Sequence, residues 1–226
     1  MKNTFSYKLV LPLFVAFSFI TVSCISNVEN TFPSQVQVGL EMERLDTMEV
    51  ISDDSITVES VQLVQGDSYM IIGGDSLFFN NSERVISFNP GALQFANPVR
   101  LAGGQFPPGA YEEIALALPK ASENIYRQNP DFIKDNKRFT IVAKGTYNGE
   151  QFTYQSERVI EQNFSFTPPI QVPEDNASFI FVIRANVVDW FVDFNGSGIF
   201  DPRVADNSTE INNNIENSFR FQQLQP

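Results

Sequence analysis

From Gln35 onward, apolar and polar residues alternate with a period of two. Val36, Val38, Leu40 and Met42 form the first run, and Ile56, Val58, Val61 and Leu63 the next, after a break at Asp53-Asp54-Ser55. An apolar side chain at every second position is what a strand with one buried face requires. Tyr69 to Ile72 and Leu77 to Phe79 flank Gly73-Gly74-Asp75, the layout of a hairpin. Val85, Ile86 and Phe88 form a short run that ends at Asn89-Pro90-Gly91. Pro107-Pro108-Gly109 reads as a turn, with Ile114, Leu116 and Leu118 alternating behind it. The segment from Phe139 to Tyr154 carries the most specific signal. Asn148-Gly149 is the dipeptide preferred in two-residue type I′ hairpin turns, and it predicts the pairs Tyr147–Glu150, Gly145–Phe152 and Ala143–Tyr154. Phe152 opposite Gly145 is the arrangement in which an aromatic ring covers a strand glycine. Val159 to Phe166 and Phe179 to Val188 add two strands, and the second is nearly continuous in apolar residues, which predicts a central position.

About ten short strands punctuated by turns predict an all-β fold, an antiparallel β-sandwich in preference to a barrel. Two stretches depart from the strand pattern. Residues 120–136 are polar and contain Asn129-Pro130, consistent with a loop holding one helical turn or with a linker between two halves. Nothing there is rich in Gly or Ser, so a single domain over residues 35–226 is the preferred division. Near the C-terminus, Asn207 and Glu210 have capping-box spacing, and Ile211, Ile215 and Phe219 fall on one helical face. That pattern predicts a short helix on the sheet edge, or a helical turn leading into a last strand at Phe219–Leu224.

The N-terminus has a different pattern. Met1 to Lys8 is short and basic, and the fourteen residues from Leu9 to Val22 are apolar, a length suited to a signal-peptide core and short for a membrane span. The run ends in Thr21-Val22-Ser23-Cys24, which resembles the bacterial lipobox, with Thr21 standing where Leu is usual. The resemblance implies diacylglyceryl transfer to the Cys24 thiol and cleavage before it; ordinary cleavage after Ser23 or Ser26 is the alternative. Cys24 is the only cysteine, and it falls at the one place a lipobox needs it. Residues 1–23 are therefore expected to be a lipoprotein signal peptide. Residues 24–34 would form a tether reaching at most roughly 35–40 Å.

Composition narrows the chemistry. The 226 residues are 42% hydrophobic, include 22 Phe and contain no histidine. No Ser-His-Asp triad, Cys-His dyad, His-ligated zinc or internal disulfide can be built from this chain. With Lys2 and Lys8 in the leader, 13 of the 15 basic residues face all 27 acids in the mature chain, a net charge of −14. Nucleic-acid binding is excluded on that charge, and membrane attachment has to be covalent.

The segment order resembles Bacteroidota cell-envelope lipoproteins with a transthyretin-like or immunoglobulin-like β-sandwich domain. The residues that carry it are Cys24, Pro107-Pro108-Gly109-Ala110-Tyr111, Tyr147 to Phe152, Trp190-Phe191 and Asn212 to Phe219. The resemblance implies an outer-membrane lipoprotein facing periplasm or cell surface, with no catalytic residues to carry over. Asp46-Thr47-Met48, Asp54-Ser55-Ile56 and Asp75-Ser76-Leu77 match the tripeptide that this phylum O-glycosylates, or are plain turns. Thr47, Ser55 and Ser76 are the acceptors under the first reading.

Two constellations remain. Asp193, Asn195, Ser197 and Asp201, around Gly196 and with the Ile199 carbonyl, resemble a calcium-binding loop; Val204 stands where a bidentate acid belongs, and a Gly-rich turn is the alternative. Calcium is thus the one cofactor considered. Trp190 and the tyrosines are candidates for a sugar-stacking platform or for core. Glu112-Glu113 and Asp53-Asp54 cannot share one site if they lie on strands, because neighbours point to opposite faces. The expected function is a non-catalytic, lipid-anchored envelope protein with a structural, adhesion or ligand-presenting role; the alternative is a carbohydrate-binding lipoprotein of a glycan-uptake system. Its partners would be the membrane, through the lipid, and a glycan or envelope protein.

Overall fold

The computed structural model describes residues 35–43, 49–51, 53–89, 99–174, 178–195 and 198–224. Cys24, the tether, Thr47 and Ser197 lie outside them. In chain order the strands begin with β1 (Gln35–Glu43), β2 (Glu49–Ile51), β3 (Asp54–Gln65), β4 (Ser68–Ile72) and β5 (Asp75–Asn80). Next come β6 (Arg84–Phe88), β7 (Val99–Gln105) and β8 (Gly109–Leu118), then helix α1 (Glu123–Gln128) and a 3₁₀ turn at Pro130–Phe132. After these run β9 (Ile133–Lys134), β10 (Lys137–Arg138), β11 (Ile141–Tyr147), β12 (Glu150–Ser156), β13 (Ile160–Val172) and β14 (Ser178–Asn186). Helix α2 (Ser208–Ser218) leads directly into β15 (Phe219–Leu224).

The fold is β-rich, and among the described residues the strands form open sheets with no closed barrel. One sheet has the order β15-β14-β1-β7, a second β12-β11-β3-β2 with β6 also on β3, and a third β13-β8-β4-β5; β9 and β10 form a small separate ribbon. The type I′ hairpin is present as the dipeptide requires. Asn148 and Gly149 have φ of 51° and 80°, and Tyr147–Glu150, Gly145–Phe152 and Ala143–Tyr154 are register partners. Asn148 also ties this turn to the start of β3: its Oδ1 accepts from the Ser55 amide at 2.8 Å and its Nδ2 donates to Asp54 at 2.9 Å.

The apolar run of β14 is flanked on both sides, by β15 and β1, as its composition predicts. Its pairing with β1 is parallel, from Gln35–Ser178 to Glu43–Asn186, so the sheets are not wholly antiparallel. Strands this far apart in sequence are not bound to hairpin geometry, and hydrophobic periodicity carries no information on strand direction. Strand β13 runs on to Val172, past the expected end at Phe166, because Pro168 and Pro169 sit in an irregularity between Ser165 and Ile170 on an edge strand. An edge is where missing amide donors are tolerated.

Rings from different sheets meet inside. Phe166 on β13 lies 4.6 Å from Phe221 on β15 and 6.3 Å from Phe181 on β14, and Tyr111 on β8 lies 6.0 Å from Phe181. The sheet β13-β8-β4-β5 therefore turns one face to the core and leaves the other outward. Residues 120–136 form a short helix and a 3₁₀ turn, with Phe132 fully buried beside Val64 and Val142 of β3 and β11.

Helix α2 buries Ile211 and Ile215 completely and continues into β15, so both C-terminal alternatives are realised together. The expected capping box is absent. Asn207 is itself helical in backbone and donates its side-chain amide to the Asp201 carbonyl at 3.0 Å, because a 3₁₀ turn (Ala205–Asn207) feeds the helix. Three asparagines secure α2 instead. Asn212 accepts from Tyr154 and Ser156, Asn213 from Arg158, and Asn214 donates to the carbonyls of Trp190 and Val192.

Candidate ligand-binding groove

The outward face of the third sheet is built from a row that crosses four strands. Phe78 on β5 pairs with Tyr69 on β4, Tyr69 with Ala115 on β8, and Ala115 with Asn163 on β13. Directly opposed residues share a face. The flanking positions Met70, Ile114 and Leu116 point to the core and are essentially inaccessible to solvent. One step along, Ala117 pairs with Glu161. The middle strand thus presents two methyl groups between larger side chains on either side, and a groove results. Its floor is Ala115 and Ala117. One wall is aromatic, with the Tyr69 and Phe78 rings 5.5 Å apart and tilted by 55°. The other wall is polar, made by the exposed Asn163 and Glu161. Asp67 and Glu83 close one end, and the half-open groove has a volume of about 530 Å³.

That end is anchored by a buried polar knot. Gln65 and Ser68, both fully buried, hydrogen-bond each other at 3.2 Å. Arg84 donates to Gln65 at 2.7 Å and to the Leu101 carbonyl at 2.8 Å, and Asn80 donates to the Gly66 carbonyl at 2.6 Å. Buried polar groups satisfied in this way fix the backbone on which Asp67 sits. Glu83 accepts from the Ser122 amide at 3.1 Å. Asp67, Glu83 and Glu161 are all solvent-exposed, and among the described residues no basic side chain lines the groove.

Trp190 lies elsewhere. It is 0% exposed, and its indole NH donates to Ser218 at 2.8 Å. A ring with no accessible face cannot stack on a sugar, so the platform reading of Trp190 is corrected to core. The apolar neighbours Phe191 and Ile199 share the same cluster and account for its burial.

The two described flanks of the Asp193–Asp201 segment are paired with each other. Val192 and Ile199 form an isolated antiparallel bridge, closed by Asp193 N–H to the Gly198 carbonyl at 3.0 Å and Phe200 N–H to the Phe191 carbonyl at 2.7 Å. Asp193 accepts the Asn195 amide at 3.0 Å. The Asp201 carboxylate is engaged by Arg203, with Nε at 2.9 Å and Nη2 at 2.8 Å, and these bonds hold its pKa below the ordinary aspartate value. Arg203 also contacts Glu150 and stacks over Tyr147 at 5.3 Å, and its own pKa is raised, first by the hydrogen bond to Asp201. Among the described residues, no group of three or more His, Cys, Asp or Glu side chains is arranged to hold a metal ion.

Ser76 is exposed at the start of β5, whereas Ser55 is half-buried in β3 with its amide bonded to Asn148. Of the paired acids, Glu113 accepts from Ser165 at 3.2 Å, and Glu112 is the extra residue where the β4–β8 register shifts.

Comparison with protein-family models, curated proteins and solved structures finds no match to this chain. Tyr69 was a candidate only as one of the six tyrosines, and Phe78, Asn163 and Glu161 were not among the candidate site residues that the sequence singled out. Beside Tyr69, the two outward alanines of β8 are the trace that the groove leaves in the sequence.

Proposed function

We propose that this chain is a lipid-anchored protein of the bacterial cell envelope, whose β-sandwich presents a ligand-binding groove and performs no catalysis. The three large sheets, read as layers around a shared core, make up that sandwich. The observation that carries the envelope assignment is the solitary Cys24 placed directly after a fourteen-residue apolar run. Two or three acyl chains at about 0.8 kcal/mol per buried CH₂ would make the attachment stable. The groove supports the ligand-presenting role, since a concavity of this size lies within the usual range for small-ligand sites. A hydrolytic reading is disfavoured because a carboxylic acid that must hold its proton needs an apolar, water-poor setting. The groove's three carboxylates are exposed instead.

The test is Cys24→Ser in a bacterial host with metabolic palmitate labelling. Labelling of the wild type and its loss in the variant is the expected result. Label that persists in Cys24→Ser overturns the lipoprotein assignment.

A further inference from the structure

We infer that the groove between Tyr69–Phe78 and Asn163–Glu161 binds an uncharged saccharide. This names the ligand for the ligand-presenting reading above and is independent of the lipid anchor. The groove is amphipathic across its width. A sugar ring is amphipathic in the same sense, with one face of C–H groups and a rim of hydroxyls. The Tyr69 and Phe78 rings offer aromatic faces to the C–H side, and Phe78 is 54% exposed, so its face is open to a ligand.

Across the alanine floor, Asn163 both donates and accepts, while Glu161 accepts from hydroxyls. Tyr69 and Asn163 stand two strands apart, roughly 9–10 Å at the usual strand spacing. Side chains narrow that gap toward the width of a single ring. Neither the Asp67 nor the Glu161 carboxylate has a hydrogen-bond or ion-pair partner within the described residues, so each is available to a ligand. An acyl chain would need an apolar lining throughout, and Asn163 and Glu161 deny it. An anionic glycan would meet three carboxylates and, among the described residues, no base. A neutral saccharide meets neither obstacle.

The experiment is affinity electrophoresis of the purified full chain through gels containing neutral polysaccharides: a β-glucan, an α-glucan, a mannan and a xylan. Retardation by at least one of them is expected. Tyr69→Ala and Phe78→Ala should each weaken it roughly tenfold or more, and Asn163→Ala should weaken it as well. Ala117→Leu fills the groove floor without removing any contact group and should abolish retardation while the thermal midpoint stays near wild type. It also serves as the second variant should Tyr69→Ala fail to fold. Phe194→Ala removes an exposed aromatic outside the groove and should leave retardation unchanged. No retardation in any gel overturns the inference, as does retardation that survives Ala117→Leu and Phe78→Ala. Salt-sensitive retention of a lysine-rich peptide in place of every polysaccharide would likewise overturn it, in favour of a cationic ligand. Palmitate labelling is unaffected by any of these outcomes, so the two readings fail separately.

Discussion

Gly145 is the position where the fold leaves least room. It lies in β11 between β3 and β12, at the point where the β11–β3 register shifts. A Cβ built there would sit 1.9 Å from the Thr57 carbonyl oxygen and 3.1 Å from the Phe152 ring. Non-bonded carbon and oxygen need more than about 3 Å, so Gly145→Ala must open the gap between two hydrogen-bonded strands by roughly 1 Å. A close-packed interior yields poorly to such a shift, and overpacking costs about 1–3 kcal/mol or more. Backbone atoms give less readily than side chains, which puts Gly145→Ala near 3 kcal/mol. The loss of glycine's extra freedom in the unfolded chain offsets only about 0.4–1 kcal/mol of it. For a domain of this size, 1 kcal/mol shifts the melting temperature by about 2–4 °C, so the expected drop is about 5–10 °C. Gly198→Ala is the control, since nothing lies within 4 Å of its Cβ position. Calorimetry or urea denaturation of both variants makes the comparison. A Gly145→Ala midpoint within 1 °C of wild type would refute the close approach of Thr57.

Other consequences follow from the same packing. Gly149→Val forces a β-branched residue into φ of 80° and should cost about 1–3 kcal/mol, while Asn148→Gly keeps the turn but loses the bonds to Ser55 and Asp54, costing about 1 kcal/mol. Tyr111 is fully buried, donates to the Pro107 carbonyl at 2.8 Å, and burial pushes its pKa up to about 12 from the ordinary 10.0. Its contribution to stability is complete below pH 10.0 and is lost as pH rises through 12, so alkaline unfolding should be less steep over that range in Tyr111→Phe; identical alkaline curves would refute this. If Asp193 to Asp201 takes up calcium, Arg203 competes for Asp201, and millimolar Ca²⁺ should raise the melting temperature more in Arg203→Gln than in wild type, against chelator. Equal melting in both buffers for both proteins removes calcium from the loop.

What the sequence disclosed follows the range of the forces involved. The hairpin at Asn148-Gly149 was legible because two adjacent residues decide it, and β1 and β3 because burial of one face imposes a period of two. The parallel partner of β1 was not, since pairing β1 with β14 is decided by packing across 143 positions of chain. The core role of Trp190 was legible only as one of two options. Both a platform and a core residue are aromatic, and only Phe191, Ile199 and the Ser218 hydroxyl around it decide between them. Oxygen spacing in the 193–201 loop suggested a cation, yet the competing cation stands two residues beyond Asp201 as Arg203 and is equally visible in the sequence.

The groove is the instructive omission. Phe78 and Asn163 are neighbours in one cross-strand row but 85 positions apart in the chain, so no local pattern joins them. What was visible is that Ile114-Ala115-Leu116-Ala117-Leu118 alternates apolar with small where a solvated strand face would alternate apolar with polar. A strand face that gives up both polarity and bulk is either covered by another element or forms the floor of a concavity. No element covers this one among the described residues, and tall side chains on both neighbouring strands turn the missing bulk into depth. Alanine at outward strand positions, flanked in register by aromatic residues on one side and amide or carboxylate residues on the other, is therefore a signal that needs strand pairing before it can be read.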